Sequence, residues 1–231
     1  MLIKAMIFDC DGVIIDSFRE GLRRIKILCA IHDVRYTLKE RRKLTELWGL
    51  RGVKLLEQGL DISPKLAKAM YQDWEKMDLS DPIAHIPAAR EVLHWLRKNN
   101  FSSILLTSRN RENLTAILDR MDLLREFTFL STGDDFYYSK PDPRAFRFSL
   151  EKLRDECGIE KEHCVFVGDT PADIEGGANA GIRTVVVQTG PYMLEHTEKY
   201  PVALCDIIPS IDEFPSWVEK HHEGTFTFSY Y

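Results

Sequence analysis

With 231 residues, 44% of them hydrophobic and 29% charged, the chain has apolar material for a sizeable core and room for one large domain or two smaller ones. A formal net charge of −5 gives no general electrostatic reason to bind nucleic acid or an anionic membrane, so an anionic ligand has to be met locally. Cys10, Cys29, Cys157, Cys164 and Cys205 form no CxxC pair and leave one over, which suggests neither a zinc site nor a disulfide framework and points to reduced thiols.

The chain opens on an apolar run over residues 2–8, of strand length, that ends in Asp9, Cys10, Asp11 and Gly12. Alternate side chains of a strand share a face, so Asp9 and Asp11 can point one way while Cys10 points the other, into packing. Two carboxylates held so close repel each other unless a cation lies between them or one is protonated, and a hard cation such as Mg²⁺ suits. Gly12 lets the backbone turn sharply. A capped strand end followed by an Asp-Gly turn is the alternative reading at this point.

Residues 17–84 contain no strand-like run. Asp16 and Ser17 start a helix, Ser17 and Glu20 form a potential capping box, and helical patterns follow over 17–30, 38–47, 53–59 and 64–76. Further strands are expected over 103–107, 127–131, 164–168, 184–188 and 202–206, with helices over 87–98, 110–124, 143–154 and 171–180. Such alternation predicts a parallel sheet of Rossmann-like α/β type. The helical block then reads as an inserted second domain, which divides the chain into 1–16 with 85–231 and 17–84. The aromatic, alternating TFTFSYY at residues 225–231 is an extra strand or a docked tail, with partner binding the lesser option. No apolar stretch reaches membrane-span length and the N-terminus opens on a strand in place of a leader peptide, so a cytoplasmic location is expected.

In an open parallel sheet ligands lie beyond the carboxyl ends of the strands. The polar residues there are Asp9 and Asp11 after the first, Thr107 and Ser108 after the second, and Asp169 and Asp173 after the fourth, with Lys140 ahead of the helix that follows the third. Each has a bland reading: Thr107 and Ser108 as helix caps, Lys140 as a solvated lysine, Asp169 as a turn residue, Asp173 as a first-turn acid favoured by the helix dipole. Taken together, DCDGV, the strand-end TS, KPDP and GDTPAD occur in an order that resembles the four signatures of the haloacid dehalogenase superfamily, and the helical block resembles its inserted α-helical cap.

The resemblance covers residues 1–210 and implies roles. Asp9 would attack phosphorus to form an aspartyl-phosphate; Asp11 would protonate the leaving oxygen and then activate water. The Asp9 carboxylate, the Asp11 carbonyl and Asp169 would hold Mg²⁺, with Asp173 a ligand or an orienter of metal-bound water. Thr107, Ser108 and Lys140 would bind phosphoryl oxygens. The second acid, Asp11, favours phosphate-ester chemistry over dehalogenation. ELWGLRGVKLLEQ resembles the cap loop that faces the catalytic centre; its Arg51 could clamp a carboxylate, as in a phosphoglycolate phosphatase, and Arg109 could also reach substrate. The expectation is a Mg²⁺-dependent phosphatase of a small phosphorylated metabolite, monomer or homodimer. The alternatives are a β-phosphoglucomutase-like mutase and a non-catalytic phosphometabolite-binding protein.

Overall fold

The two central strands are short runs of apolar residues buried on both faces, the pattern that a parallel sheet covered by helices on each side imposes. The computed structural model describes residues 1–81, 83–191, 202–203 and 206–223. Six strands, β1 (Ala5–Asp9), β2 (Ser102–Leu106), β3 (Phe129–Ser131), β4 (Cys164–Gly168), β5 (Arg183–Val187) and β6 (Ile207–Ile208), form one parallel sheet in the order β3-β2-β1-β4-β5-β6. Chain progression reverses at β1, between β2 and β4, so the carboxyl ends of β1 and β4 flank the crevice where ligands collect in such sheets.

One face of the sheet carries α5 (Ala89–Lys98), α6 (Arg111–Arg120) and α9 (Phe214–His221) around a cluster that includes Phe8, Leu93, Leu114 and Phe214. Against the other face Ala145, Phe146, Leu153 and Phe166 pack with α7 (Arg147–Cys157), while α8 (Pro171–Ala180) follows β4. The helices α1 (Ser17–Ile31), α2 (Leu38–Glu46), α3 (Gly52–Leu60) and α4 (Pro64–Ser80) close on a separate apolar cluster of Leu22, Ile25, Leu44, Leu56, Met70 and Trp74. Two neighbouring segments join this block to the sheet. Asp16 N donates to Ala84 O at 2.9 Å and Ile86 N to Ile14 O at 2.8 Å.

Differences from the expected elements have local causes. The first strand begins at Ala5, where pairing to β2 and β4 starts, and not at residue 2. The last strand lies at 207–208 instead of 202–206, where 204 and 205 fall outside the described residues, as does the 225–231 tail. The box expected from Ser17 and Glu20 does not form: Ser17 is itself the first helical residue and Glu20 accepts from Arg23 and Arg24. Full capping boxes occur at Thr37 with Glu40 and at Thr170 with Asp173. The helix expected at 143 starts as a 3₁₀ turn, Pro143–Phe146, before α7. Helix α9 was not among the expected elements; it places Phe214 and Trp217 in the core.

Arg24 of α1 is completely buried, with Glu20, Asp78 and the Asp81 carbonyl as partners. Removing one member of a buried pair strands the other charge. Arg24→Ala is therefore expected to cost about 3 kcal/mol of stability, read as a lower denaturant midpoint in equilibrium unfolding.

Candidate active site

Asp9 is the last residue of β1 and is 7% exposed. Lys140 Nζ reaches it at 2.9 Å and meets Asp173 Oδ1 at 2.5 Å, so one ammonium lies between two carboxylates. Asp169 follows β4 and Asp173 stands in the first turn of α8, both fully buried. Thr170 caps that helix, and the Asp173 carboxylate accepts from the Thr170 amide at 3.0 Å and hydroxyl at 2.7 Å. Asp173 is thus a capping residue and a Lys140 partner at once.

Carboxyl oxygens of Asp9, Asp169 and Asp173 lie within 4.8 Å of one another. Burial pushes the Asp9 carboxyl up to about 7, with Asp173 and Asp11 adding repulsion that Lys140 only partly offsets. Burial, then Asp173 and Asp9, drives Asp169 well above the ordinary carboxylate range. Against Lys140, burial works to lower its value, but Asp173 and Asp9 outweigh it and hold the ammonium charged. Both Asp169 oxygens are buried without a hydrogen-bond partner. A Cβ at Gly12 or Gly190 would collide with Oδ2 of that carboxylate. Gly12, at φ 85°, also occupies the left-handed region. This cradle of hard, anionic oxygens fits a divalent cation.

Asp11 is placed differently from the expectation of a cation shared between it and Asp9. Its carboxylate is outside the three-acid cluster and is gripped by Arg109, at 2.7 Å from Nη2 to Oδ1 and 3.0 Å from Nε to Oδ2. Each member of the opening pair therefore has a cation of its own, Lys140 for Asp9 and Arg109 for Asp11. Burial would raise the Asp11 carboxyl, yet Arg109 outweighs it, with help from Ser17, and holds it below the usual range. Cys10 points away into the sheet core, as strand alternation requires.

Thr107 directly follows β2, its amide donating to Ser131 O at 3.0 Å and its hydroxyl accepting from the Arg109 amide at 3.2 Å. Helix α6 is capped by Asn110 and not by Thr107 or Ser108, which leaves both hydroxyls on the pocket wall. The pocket, of ≈ 70 Å³, has Asp9, Asp11, Thr107, Ser108, Arg109 and Lys140 on its floor. Its roof is Trp48, Leu50, Leu55, Tyr71, Trp74 and Asp78, from the helical block. Arg51 does not line it. That guanidinium instead crosses to the loop before Lys140, bonding Ser139 Oγ at 2.8 Å and Phe136 O at 2.6 Å and lying over the Phe136 ring.

Tyr71, Trp74 and Asp78 were not singled out in the sequence. The available signal was their i, i+3, i+7 spacing, which puts an acid on the aromatic face of α4. Asp78 is 2% exposed and bonds both Arg24 and Arg109, one from its own helical block and one from the sheet domain's floor.

Residues 6–187 match the family model for haloacid dehalogenase-like hydrolases. The chain is 28% identical to a phosphoglycolate phosphatase of Pseudomonas savastanoi pv. phaseolicola over 205 residues, 82% of this chain and 71% of that protein. It is 27% identical to a phosphorylated carbohydrates phosphatase of Thermotoga maritima over 188 residues, 79% of this chain and 84% of the other. Among solved structures, a hydrolase from Pseudomonas syringae superposes with a TM-score of 0.78 at 21% identity, covering 95% of this chain and 100% of that one. With its parallel sheet, its strand-end acids and these relatives, the chain belongs to the haloacid dehalogenase-like hydrolases and is a phosphatase-type, phosphoglycolate phosphatase-like member of that family.

Proposed function

We propose that the protein is a Mg²⁺-dependent phosphatase that hydrolyses small phosphomonoesters through an aspartyl-phosphate on Asp9. The observation that carries this reading is the buried Asp9–Lys140–Asp173 array beside the partnerless Asp169 carboxylate, at the carboxyl ends of β1 and β4. Residues 17–84 act as a cap domain over the core formed by 1–16 and 85–231, with the reaction in the cleft between them. Among the described residues the buried thiols of Cys10, Cys29 and Cys164 and the exposed thiol of Cys157 are free, which suits a reducing, cytoplasmic setting. No helix among the described residues is long and apolar enough to cross a membrane.

Asp9, Asp169 and Asp173, with the Asp11 carbonyl, would hold Mg²⁺, which supplies charge neutralisation at the transferring phosphoryl group. Lys140, Thr107 and Ser108 bind phosphoryl oxygens and oppose charge that grows in the transition state. An Asp9 oxygen attacks phosphorus as the ester P–O bond breaks, and the departing oxygen takes a proton from Asp11. Asp11, again ionised, then removes a proton from water; the resulting oxygen attacks phosphorus and releases inorganic phosphate and Asp9. Arg109 favours the ionised Asp11 of the second step, so the first requires that its grip loosen as the ester enters. Arg51, engaged with residues 136 and 139, serves to hold the cap against the core and not to bind substrate.

The following outcomes test this. Phosphate release from a panel of esters is expected with Mg²⁺ and should vanish with EDTA; Asp9→Asn should show no turnover, and Asp11→Asn should lose about 10²–10⁴-fold in kcat. Isomerised sugar phosphate without release would instead indicate a mutase. Arg51→Ala is expected to change kcat/KM by the same factor for carboxylated and neutral esters, and a loss confined to carboxylated ones would return Arg51 to the substrate. Because Asp9 and Asp169 are raised in the fold, their neutral forms stabilise the metal-free protein. That stability is present below the ordinary carboxylate range and is lost as pH rises through about 7. The rise in Tm produced by Mg²⁺ over EDTA should therefore be larger at pH 8 than at pH 5, in thermal scans of the same preparation.

A further inference from the structure

Resting on the phosphatase reading above, we propose that Asp78 is a specificity-determining residue that makes the site prefer phosphomonoesters with an uncharged leaving group over those carrying a carboxylate. The lining of the pocket contains two cations, Lys140 and Arg109. Each is already outnumbered: Lys140 lies between Asp9 and Asp173, and Arg109 between Asp11 and Asp78. The roof adds no positive charge, being built from Trp48, Leu50, Leu55, Tyr71 and Trp74 beside Asp78 itself. Arg51, next to this roof in sequence, is engaged by Ser139 and Phe136 of the loop before Lys140 and does not line the pocket.

The phosphoryl group has its own place on the floor, so the leaving group must lie between that floor and the roof. A carboxylate there would lose its water, find no unpaired cation, and face the Asp11 and Asp78 oxygens. Burying an unpaired charge under these conditions is heavily penalised, and like-charge juxtaposition adds to it. Hydroxyl groups in the same place would donate to those carboxylates and lie against the aromatic roof. The discrimination thus comes mainly from repulsion of the wrong partner.

Asp78 is well suited to impose this. It comes from α4, is 2% exposed, and is fixed by the buried Arg24, so it enters the site as a positioned charge and not as a mobile surface acid. Its removal would leave Arg109 with Asp11 alone, and a substrate carboxylate could then take the vacated side of the guanidinium. This choice of substrate departs from the one named for several of the chain's relatives.

The test uses the full chain with Mg²⁺ and two esters that differ only in a terminal group, glycerol 3-phosphate and 3-phosphoglycerate, with phosphoglycolate as a third. The wild-type protein is expected to favour glycerol 3-phosphate in kcat/KM by about 10²-fold. Asp78→Asn should reduce that ratio by about tenfold, mainly through a lower KM for 3-phosphoglycerate. Since Asp78 also partners Arg24, Leu50→Lys provides a second variant: it adds a roof cation without touching the pair and should shift the ratio the same way. A wild-type preference for either carboxylated ester overturns the proposal and leaves the phosphatase reading intact. So does a ratio unmoved in both variants. Release of phosphate from no ester at all overturns both.

Discussion

Repulsion among buried carboxylates at the ends of β1 and β4 is the constraint around which this protein is arranged. Asp9, Asp169 and Asp173 occupy a volume in which three negative charges are far from their stable state, and Lys140 neutralises only part of it. The backbone around them is shaped to admit little else: Gly12 and Gly190 leave room for the Asp169 carboxylate where any other residue would displace it. The same field that strains the cluster would favour a bound cation, the condition under which a fold tolerates buried acids in this number.

Asp11 obeys the same electrostatics by another route. Arg109 compensates it, and Arg109 in turn is shared with Asp78 of the helical block. The state of Asp11 and the position of the roof are thereby joined through one guanidinium. A second arginine, Arg51, fastens the opposite side of the roof to the loop preceding Lys140. Both arginines use their fixed, planar donors to bridge parts of the chain far apart in sequence, a task to which lysine is poorly suited.

The core was readable because its signals are local. The buried strands are continuous apolar runs, and the acids that end them are adjacent in sequence to those runs, so β1, β4, Asp9 and Asp169 could be placed from spacing alone. Lys140 was legible only through its motif. The roof was not: Tyr71, Trp74 and Asp78 occur in a helix whose pattern fits ordinary core packing, and Asp78 acquires meaning only when Arg109 is brought to it from 31 residues away. Arg51 shows the converse. Its glycine-flanked loop suggested a substrate contact, yet rotation of one long side chain sends it to Phe136 and Ser139. Strand β6 and helix α9 were misplaced or missed because a two-residue edge strand and an eight-residue helix carry too little periodicity to stand out.

The paired segments that join the helical block to the sheet have a mechanical consequence. Asp16 with Ala84 and Ile86 with Ile14 make the two crossings a short antiparallel ribbon. A single tether would let the block swivel and slide; a ribbon resists twist and shear and yields mainly by bending. Any opening of the block would then follow one coordinate, and its return would bring Asp78 to Arg109 and Arg51 to its loop in the same movement. The search for the closed arrangement would be reduced to an angle.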